Sequence, residues 1–422
     1  MTNYKTFIFN NYSFDEQTKI AIFEYSYDNE LFFTEKYSFN FKFTKYDSVA
    51  FDIALKHLFL LCGVSYYKAY LPKNIIIKPF QISKSLAYFL NNTYQKGLRE
   101  LFYTNNLPID TKIDFPYSEK LKNQPIKFES SGKLVAIGGG KDSLVSISAL
   151  QKQATKKLAI WSVGHEQKLR PLVKQIGLPH YGITRQIDSK IISLTNSYNG
   201  HIPISAIFAS IGSVLCVLTG SKDIVVSNES SANEPTLTFK GLEVNHQYSK
   251  SAEFELSYQK LLTENFGNSI RYYSLLRSLN EVQITKIFAE NSFAKYKDTF
   301  CSCNKAFRQN ATNISWCGKC PKCCFVFLAL TPFVDKIELE EVFNANPLLD
   351  KENINIYKEL LGKTQSKPFE CVGTINESSW AMNQAYKIYP QLQDVFGEIN
   401  STYDISKTEK DYLPEDVSGP VI

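Results

Sequence analysis

The residues with the clearest chemical potential stand consecutively: Gly138, Gly139, Gly140, Lys141, Asp142 and Ser143. Glycines in a row let the backbone approach a ligand closely and supply dihedrals that other residues avoid. If a helix starts directly after them, its free N–H groups and the positive end of its dipole face an anion. Lys141 adds a mobile cation, Ser143 a hydroxyl, and Asp142 a route to Mg²⁺. A plain glycine turn does not account for Lys, Asp and Ser in that order, so the stretch is expected to hold phosphate.

A second group is cysteine. The chain has nine, and Cys301, Cys303, Cys317, Cys320, Cys323 and Cys324 share one short segment. Cys317, Cys320 and Cys323 recur at a spacing of three, which puts three thiolates on a tight knuckle. Tetrahedral Zn²⁺ needs a fourth. Cys303 is taken as that ligand with Cys301 as its rival, and Cys324 points elsewhere because it adjoins Cys323. A redox CxxC gives the third cysteine no role, and a closed four-cysteine site is structural rather than catalytic.

A third group is polar. Ser227, Asn228 and Glu229 leave an apolar run directly, and Asn245, His246, Gln247, Tyr248, Ser249 and Lys250 follow. A capped helix start explains the serines, but not His246, Lys250 and Asn245 together. That palette suits an anionic, polyhydroxylated substrate. Cys371 sits in the irregular stretch 368–374. It reads either as a thiol tuned toward neutral pH or as a small buried hydrophobe. His246 titrates near neutrality when unperturbed. His165 and His201 follow strand ends and are reserves, His180 is structural, and His57 is a packing residue on a helix face.

The elements that must position these groups follow from periodicity. Residues 1–127 read as a β-rich α+β domain. Strands at 19–27 and 31–41 are joined by a hairpin turn at Asp28-Asn29-Glu30, and helices are expected at 48–62 and near 83–102. Residues 128–332 alternate strand and helix: strands at 133–137, 158–163, 180–185, 223–228 and 270–274, with helices at 143–152, 167–176 and 203–218. This is a doubly wound parallel α/β sheet, whose ligands sit at the carboxyl ends of the strands. Gly138–Ser143, Gly164–His165, Gly200–His201 and Ser227–Glu229 are expected to converge there. Residues 333–422 form a mostly helical extension with a mobile tail after Lys410.

Composition restrains the function. The 422 residues are 44% hydrophobic and 21% charged, with a net charge of +5 and no long basic run. That argues against a nucleic-acid partner. No secretory signal or membrane span is read, and clustered cysteines without a signal point to metal in a reducing, cytoplasmic compartment.

The glycine loop is too short for a Walker loop and has Ser143 where a dinucleotide fingerprint needs glycine. It resembles the PP-loop, SGGxDS, of the ATP pyrophosphatase superfamily, with Gly138 in place of the first Ser. That resemblance implies ATP cleaved between its α- and β-phosphates, with AMP transferred to a carboxylate or carbonyl oxygen. The CGxCxxC knuckle is similar to one in 7-cyano-7-deazaguanine synthases. A broader likeness covers residues 33–373. SNESSAN (227–233), VNHQYSKS (244–251), GGGKDS (138–143), WCGKCPKC (316–323), PFECVGT (368–374), SYYKAYLP (65–72) and LFYTNNL (101–107) resemble the UDP-N-acetylmuramoyl-L-alanyl-L-glutamate epimerase family, MurL.

The resemblance implies ATP- and Mg²⁺-dependent inversion of the terminal L-glutamate of the UDP-muramoyl dipeptide, with release of AMP and diphosphate, for peptidoglycan synthesis. On it, residues 138–143 with Ser227, Asn228 and Glu229 hold the nucleotide, and Asp142 and Glu229 are the Mg²⁺ ligands. Residues 245–250 are expected to bind substrate, and Cys371 and His246 are the candidates for moving the proton, with His246 alternatively a substrate hydrogen-bonder. An AMP-forming ligase or amidase-type enzyme, or a tRNA-modifying enzyme, of the same superfamily is the alternative. Oligomeric state is not legible.

Overall fold

A computed structural model describes residues 4–43, 45–307 and 314–420. Its strands are β1 Thr6–Asp15, β2 Ile20–Tyr27, β3 Leu31–Ser38, β4 Asn74–Ile77, β5 Lys133–Ala136, β6 Leu158–Val163, β7 His180–Gln186, β8 Asp223–Val226, β9 Leu237–Phe239, β10 Leu242–Val244 and β11 Arg271–Ser274. Among the described residues nine of them form one sheet in the order β11-β8-β5-β6-β7-β3-β2-β1-β4, and β9 and β10 pair separately. Strands β11, β8, β5, β6 and β7 are mutually parallel. The chain winds outward from β5 through β6 to β7, then returns to β8 and β11 on the other side. The winding reverses between β5 and β8, and the carboxyl-end crevice there is where such sheets bind ligands.

The N-terminal segment is a meander. Its β2–β3 turn places Asp28 and Asn29 at φ 50° and 59°, the left-handed conformation that tight hairpins need. Asp28 also accepts from the N–H groups of Lys5 and Thr6 at 2.8 Å. The meander joins the parallel strands edge to edge, with Lys36–Ser38 of β3 antiparallel to Thr184–Gln186 of β7.

At this joint Arg185 Nε lies 2.7 Å from Glu35 Oε1. The Tyr37 hydroxyl donates to the same oxygen at 2.7 Å. Glu35 is fully buried, so Glu35→Ala strands a buried guanidinium without its counter-charge. The expected loss is about 3–5 kcal/mol, read as a lower urea midpoint with an unchanged slope.

Side-chain alternation divides the core. Leu134, Ala159, Trp161 and Ile224 face the helix Ile204–Thr219 and the N-terminal residues. Val135, Ile160 and Val225 face the helix Lys141–Lys152 and the C-terminal helices. The parallel strands are therefore buried on both faces, which explains their unbroken apolar runs. Ser48–Tyr67 is long and apolar enough by composition to cross a membrane, although no single apolar run marks it in the sequence. It is 72% buried here and packs on Ile204–Thr219.

The helix expected near 83–102 is two helices, Lys84–Gly97 and Arg99–Thr104, bent at Leu98. The bend follows Gly97, where Pro203 approaches so closely that a Cβ would lie 2.6 Å from its ring. The tail is docked rather than mobile: Arg271 Nη1 holds Asp416 Oδ1 at 2.5 Å, and Glu409 N–H donates to Ser278 O at 2.8 Å.

Candidate active site

The glycine loop lies at the carboxyl end of β5 and runs into the helix Lys141–Lys152. Gly138 is open, with nothing within 4 Å of the position a Cβ would take. Gly139 has φ +91°, and a Cβ there would lie 2.7 Å from Cys301 O, so only glycine fits. Gly140 is the N-cap and offers no side chain to the first turn. The orphan N–H groups of that turn are therefore free for an anion. Ser143 Oγ donates to Gly140 O at 3.1 Å.

Lys141 is buried, its ammonium 2.5 Å from Asp142 Oδ1 and bonded to Glu281 Oε2. Oxygens of Asp142, Glu229 and Glu281 lie within 4.8 Å of one another. Burial raises the Glu281 carboxyl above its ordinary range. At Asp142 burial acts the same way, but the charges of Lys141, Lys322 and Lys250 outweigh it and hold the group low.

Sequence reading missed Glu281. It occupies the first turn of Glu281–Phe288, where a glutamate looks like an ordinary complement to the helix dipole. Its own N–H donates to Glu377 Oε1 at 2.8 Å, and Glu377 Oε2 accepts from Thr374 N–H at 2.6 Å. One carboxylate thus ties the nucleotide-side helix to the segment that carries Cys371.

The loop after β8 is fixed by buried partners. Ser227 Oγ pairs with Ser146 Oγ at 2.7 Å, and Asn228 O accepts from Ser274 Oγ at 2.6 Å. Arg277 is fully buried and donates to Glu229 O at 2.8 Å and Lys250 O at 2.5 Å, which ties this loop to residues 245–250. In that second loop Asn245 braces the backbone, donating to Ala232 O at 3.0 Å and accepting from Gln247 N–H at 2.7 Å. Tyr248 and Ser249 are buried, and the Tyr248 ring lies under the Lys96 ammonium at 5.8 Å. Gln247 Nε2 donates to Val372 O at 3.4 Å. Its Oε1 is buried without a hydrogen-bond partner among the described residues, so a bound ligand has an acceptor to satisfy.

His246 and Cys371 come together, 125 residues apart in sequence. His246 Nδ1 lies 2.5 Å from Glu100 Oε2, and the ring is close enough to the Cys371 thiol for each to shift the other's ionisation. His201 lies against the His246 ring, with centroids 4.1 Å apart and the planes tilted by 39°. Burial favours a neutral thiol at Cys371, but Lys250, His246 and Lys322 draw it down to about 6. Burial likewise opposes charge on His246, yet Cys371 and Glu100 raise it to about 10. Between those values the pair is a thiolate and an imidazolium. His201 is pushed down to about 3 by burial and by the charges of His246, Lys250 and Lys68. Burial opposes charge on Lys250, but the nearby Cys371, Glu229 and Asp142 outweigh it and hold the ammonium well above its ordinary range. Lys322 donates to Cys371 O at 2.5 Å.

The other histidines lie apart from this pair. His165 is in ring contact with Phe307 at 5.4 Å, His180 Nε2 pairs with Ser162 Oγ at 2.9 Å, and His57 is buried in edge contact with Phe266.

Thiols of Cys303, Cys317, Cys320 and Cys323 lie within 4.8 Å of one another. The closest pairs are 3.4, 3.7 and 4.0 Å, near the roughly 3.8 Å edge of a tetrahedron with Zn–S bonds of about 2.3 Å. The cluster could hold a metal such as zinc. Cys301 is not one of the four: its Sγ accepts from Cys303 N–H at 3.4 Å, and its own N–H donates to Gly139 O at 2.8 Å. Cys324 faces Tyr357, whose hydroxyl donates to Cys324 O at 3.4 Å.

Comparison with known proteins places matches along the same span. The model of the MurL N-terminal domain matches residues 1–275, and that of the MurL C-terminal domain matches residues 299–396. A protein of Salinispora tropica named UDP-N-acetyl-alpha-D-muramoyl-L-alanyl-L-glutamate epimerase is 36% identical over 389 residues, covering 89% of this chain and 84% of that protein. A protein of the same name from Xanthomonas oryzae pv. oryzae is 37% identical over 385 residues, covering 89% and 85%. A third, from Micromonospora sp., is 35% identical over 387 residues, covering 89% and 86%.

Proposed function

The chain belongs to the MurL family, and on that premise we propose that it is an epimerase that inverts the terminal L-glutamate of UDP-N-acetylmuramoyl-L-alanyl-L-glutamate, consuming ATP and serving peptidoglycan precursor synthesis in the cytoplasm. The α-hydrogen beside a free carboxylate is hardly acidic, because the existing charge resists a carbanion. When a carboxylate oxygen attacks the α-phosphorus of ATP, diphosphate leaves and the carboxylate becomes a neutral acyl adenylate. The α-proton can then be removed on one face and returned on the other. Water cleaves the anhydride and releases AMP.

The residues fit these ligands. The open glycine cradle and the uncapped first turn of Lys141–Lys152 suit the phosphates, as a PP-loop does, and Lys141 is the cation that would meet them. Asp142, Glu229 and Glu281 would hold Mg²⁺, which when bound offsets phosphate charge. His246, Gln247 and Lys250 would contact substrate, with Asn245, Tyr248 and Ser249 shaping their loop. Cys371 as thiolate is the base, and His246 as imidazolium the acid. The four-cysteine cluster would hold structural zinc, its knuckle reaching the Cys371 segment through Lys322.

One observation carries this reading: Arg277 fastens the backbone of Glu229 to that of Lys250, and Glu377 fastens the helix that starts at Glu281 to Thr374, so the carboxylate cluster and the His246–Cys371 pair sit on mutually tied segments. The test is to incubate the protein with ATP, Mg²⁺ and the UDP-muramoyl dipeptide in deuterated water. The expected product is D-glutamate carrying α-deuterium, together with AMP. AMP without inversion would point instead to a ligase lacking its acceptor, and no AMP would exclude the substrate.

A further inference from the structure

We propose that Glu100, contributed by the N-terminal segment, is a positioning residue for the reacting pair: its carboxylate holds His246 by Nδ1 and so presents the other ring nitrogen to Cys371. The assignment rests on the epimerase reading for its consequence, but on geometry for its substance. Glu100 is only 9% exposed, and its Oε2 lies 2.5 Å from His246 Nδ1, a charge-assisted hydrogen bond. Arg99 beside it donates instead to Glu243 O at 2.9 Å. Glu100 sits in the first turn of Arg99–Thr104, which starts after the break at Leu98. Two residues before Pro203, His201 lies over the His246 ring, with centroids 4.1 Å apart. The ring is thus held at one nitrogen and on one face.

A histidine whose second nitrogen is tied to a carboxylate is fixed in tautomer and orientation, and its protonated form is stabilised. The same logic links Glu100 to Cys371 through one shared imidazole. The groups that face the thiol are His246, Lys250 and Lys322 as cations, with Glu100, Glu370 and His201 around them. Of these, Glu100 is the one that acts wholly through His246. A spacing of 2.5 Å between Nδ1 and Oε2 is also a hydrogen-bond length, shorter than the separation of two donors around one metal ion.

The test reads the thiol directly. Cys371 of the full, zinc-loaded chain is alkylated with iodoacetamide across a pH series, and the modified peptide is quantified by mass spectrometry. Wild type should show a midpoint near 6. In Glu100→Gln the midpoint should rise by about one pH unit or more, and Glu100→Asp should recover part of the shift. Turnover with the UDP-muramoyl dipeptide should fall in kcat, with the KM for ATP unchanged. An unaltered alkylation midpoint in a folded Glu100→Gln protein would overturn the proposal. If that variant does not fold, ¹³C-labelled histidine in the wild type decides: His246 titrating near its ordinary value would overturn it equally. Alkylation needs no substrate. A shifted midpoint in a protein that never inverts glutamate would therefore refute the activity and leave Glu100 in its role.

Discussion

A Cys371→Ala variant is expected to lose epimerisation by about 10²–10⁴-fold, the range that a positioned proton-transfer group supplies, while still releasing AMP. The two activities separate because the atoms that serve them are separate. Activation needs the glycine cradle, Lys141 and the carboxylates of Asp142, Glu229 and Glu281, none of which Cys371 holds in place by its side chain. Proton removal needs the thiolate. Only the backbone of Cys371 is gripped, through its carbonyl and Lys322, and alanine keeps that bond. The wild-type rate should also be bell-shaped in pH. It rises through about 6 as the Cys371 thiol ionises and falls through about 10 as His246 loses its proton. The measurement is parallel: AMP release by chromatography and α-deuterium incorporation by mass spectrometry on the same samples. If alanine at 371 stops AMP release as completely as inversion, the division of labour is wrong.

The second large effect is expected at the cysteine cluster. Cys320→Ser removes one of four thiols and also alters the N-cap of the helix Pro321–Leu330, where Cys320 Sγ accepts from Cys323 N–H at 3.4 Å. Structural zinc sites contribute folding free energy outright, so the loss should be on the order of 5 kcal/mol or more. That corresponds to a fall in Tm of about 10 °C. Metal content by mass spectrometry and calorimetry with and without a chelator check it. Nucleotide affinity should fall as well, because Cys301 bonds Gly139 directly and slackening one side of that contact loosens the cradle. A Cys320→Ser protein with wild-type Tm and metal content would remove the structural role.

Much of this architecture was legible before the coordinates. The change from period-two patterning to alternating strands and helices marked the parallel sheet, whose strands fell within two residues of expectation, whereas the strand expected at 31–41 ends at Ser38 and β1, β4, β9 and β10 were not read. The glycine loop announced itself because its conformation demands unusual residues. The cysteine spacing indicated a cluster but left its fourth member open between Cys301 and Cys303; the placement of the Cys303 thiol among those of Cys317, Cys320 and Cys323 decides it. Glu281 and Glu100 were not legible. Each is a single carboxylate in a first helical turn, a place where glutamates are common for dipole reasons alone. Their roles come from partners 140 and 146 residues away. The break at Leu98 was hidden for a similar reason, since Gly97 beside it meets Pro203, a residue far along the chain.

The joint between β3 and β7 has a consequence for how the chain is made. Glu35 and Arg185 are 150 residues apart. During synthesis β3 therefore emerges long before the strand that will cover it, by about 10–30 s at ordinary elongation rates. Throughout that interval its edge is an open template for the wrong neighbour. Lys36 lies on the paired stretch of that edge, and a lysine there discourages trespass until the ribosome delivers β7. A nascent chain stalled before residue 180 should accordingly be the most association-prone form of this protein, and the completed sheet the safest.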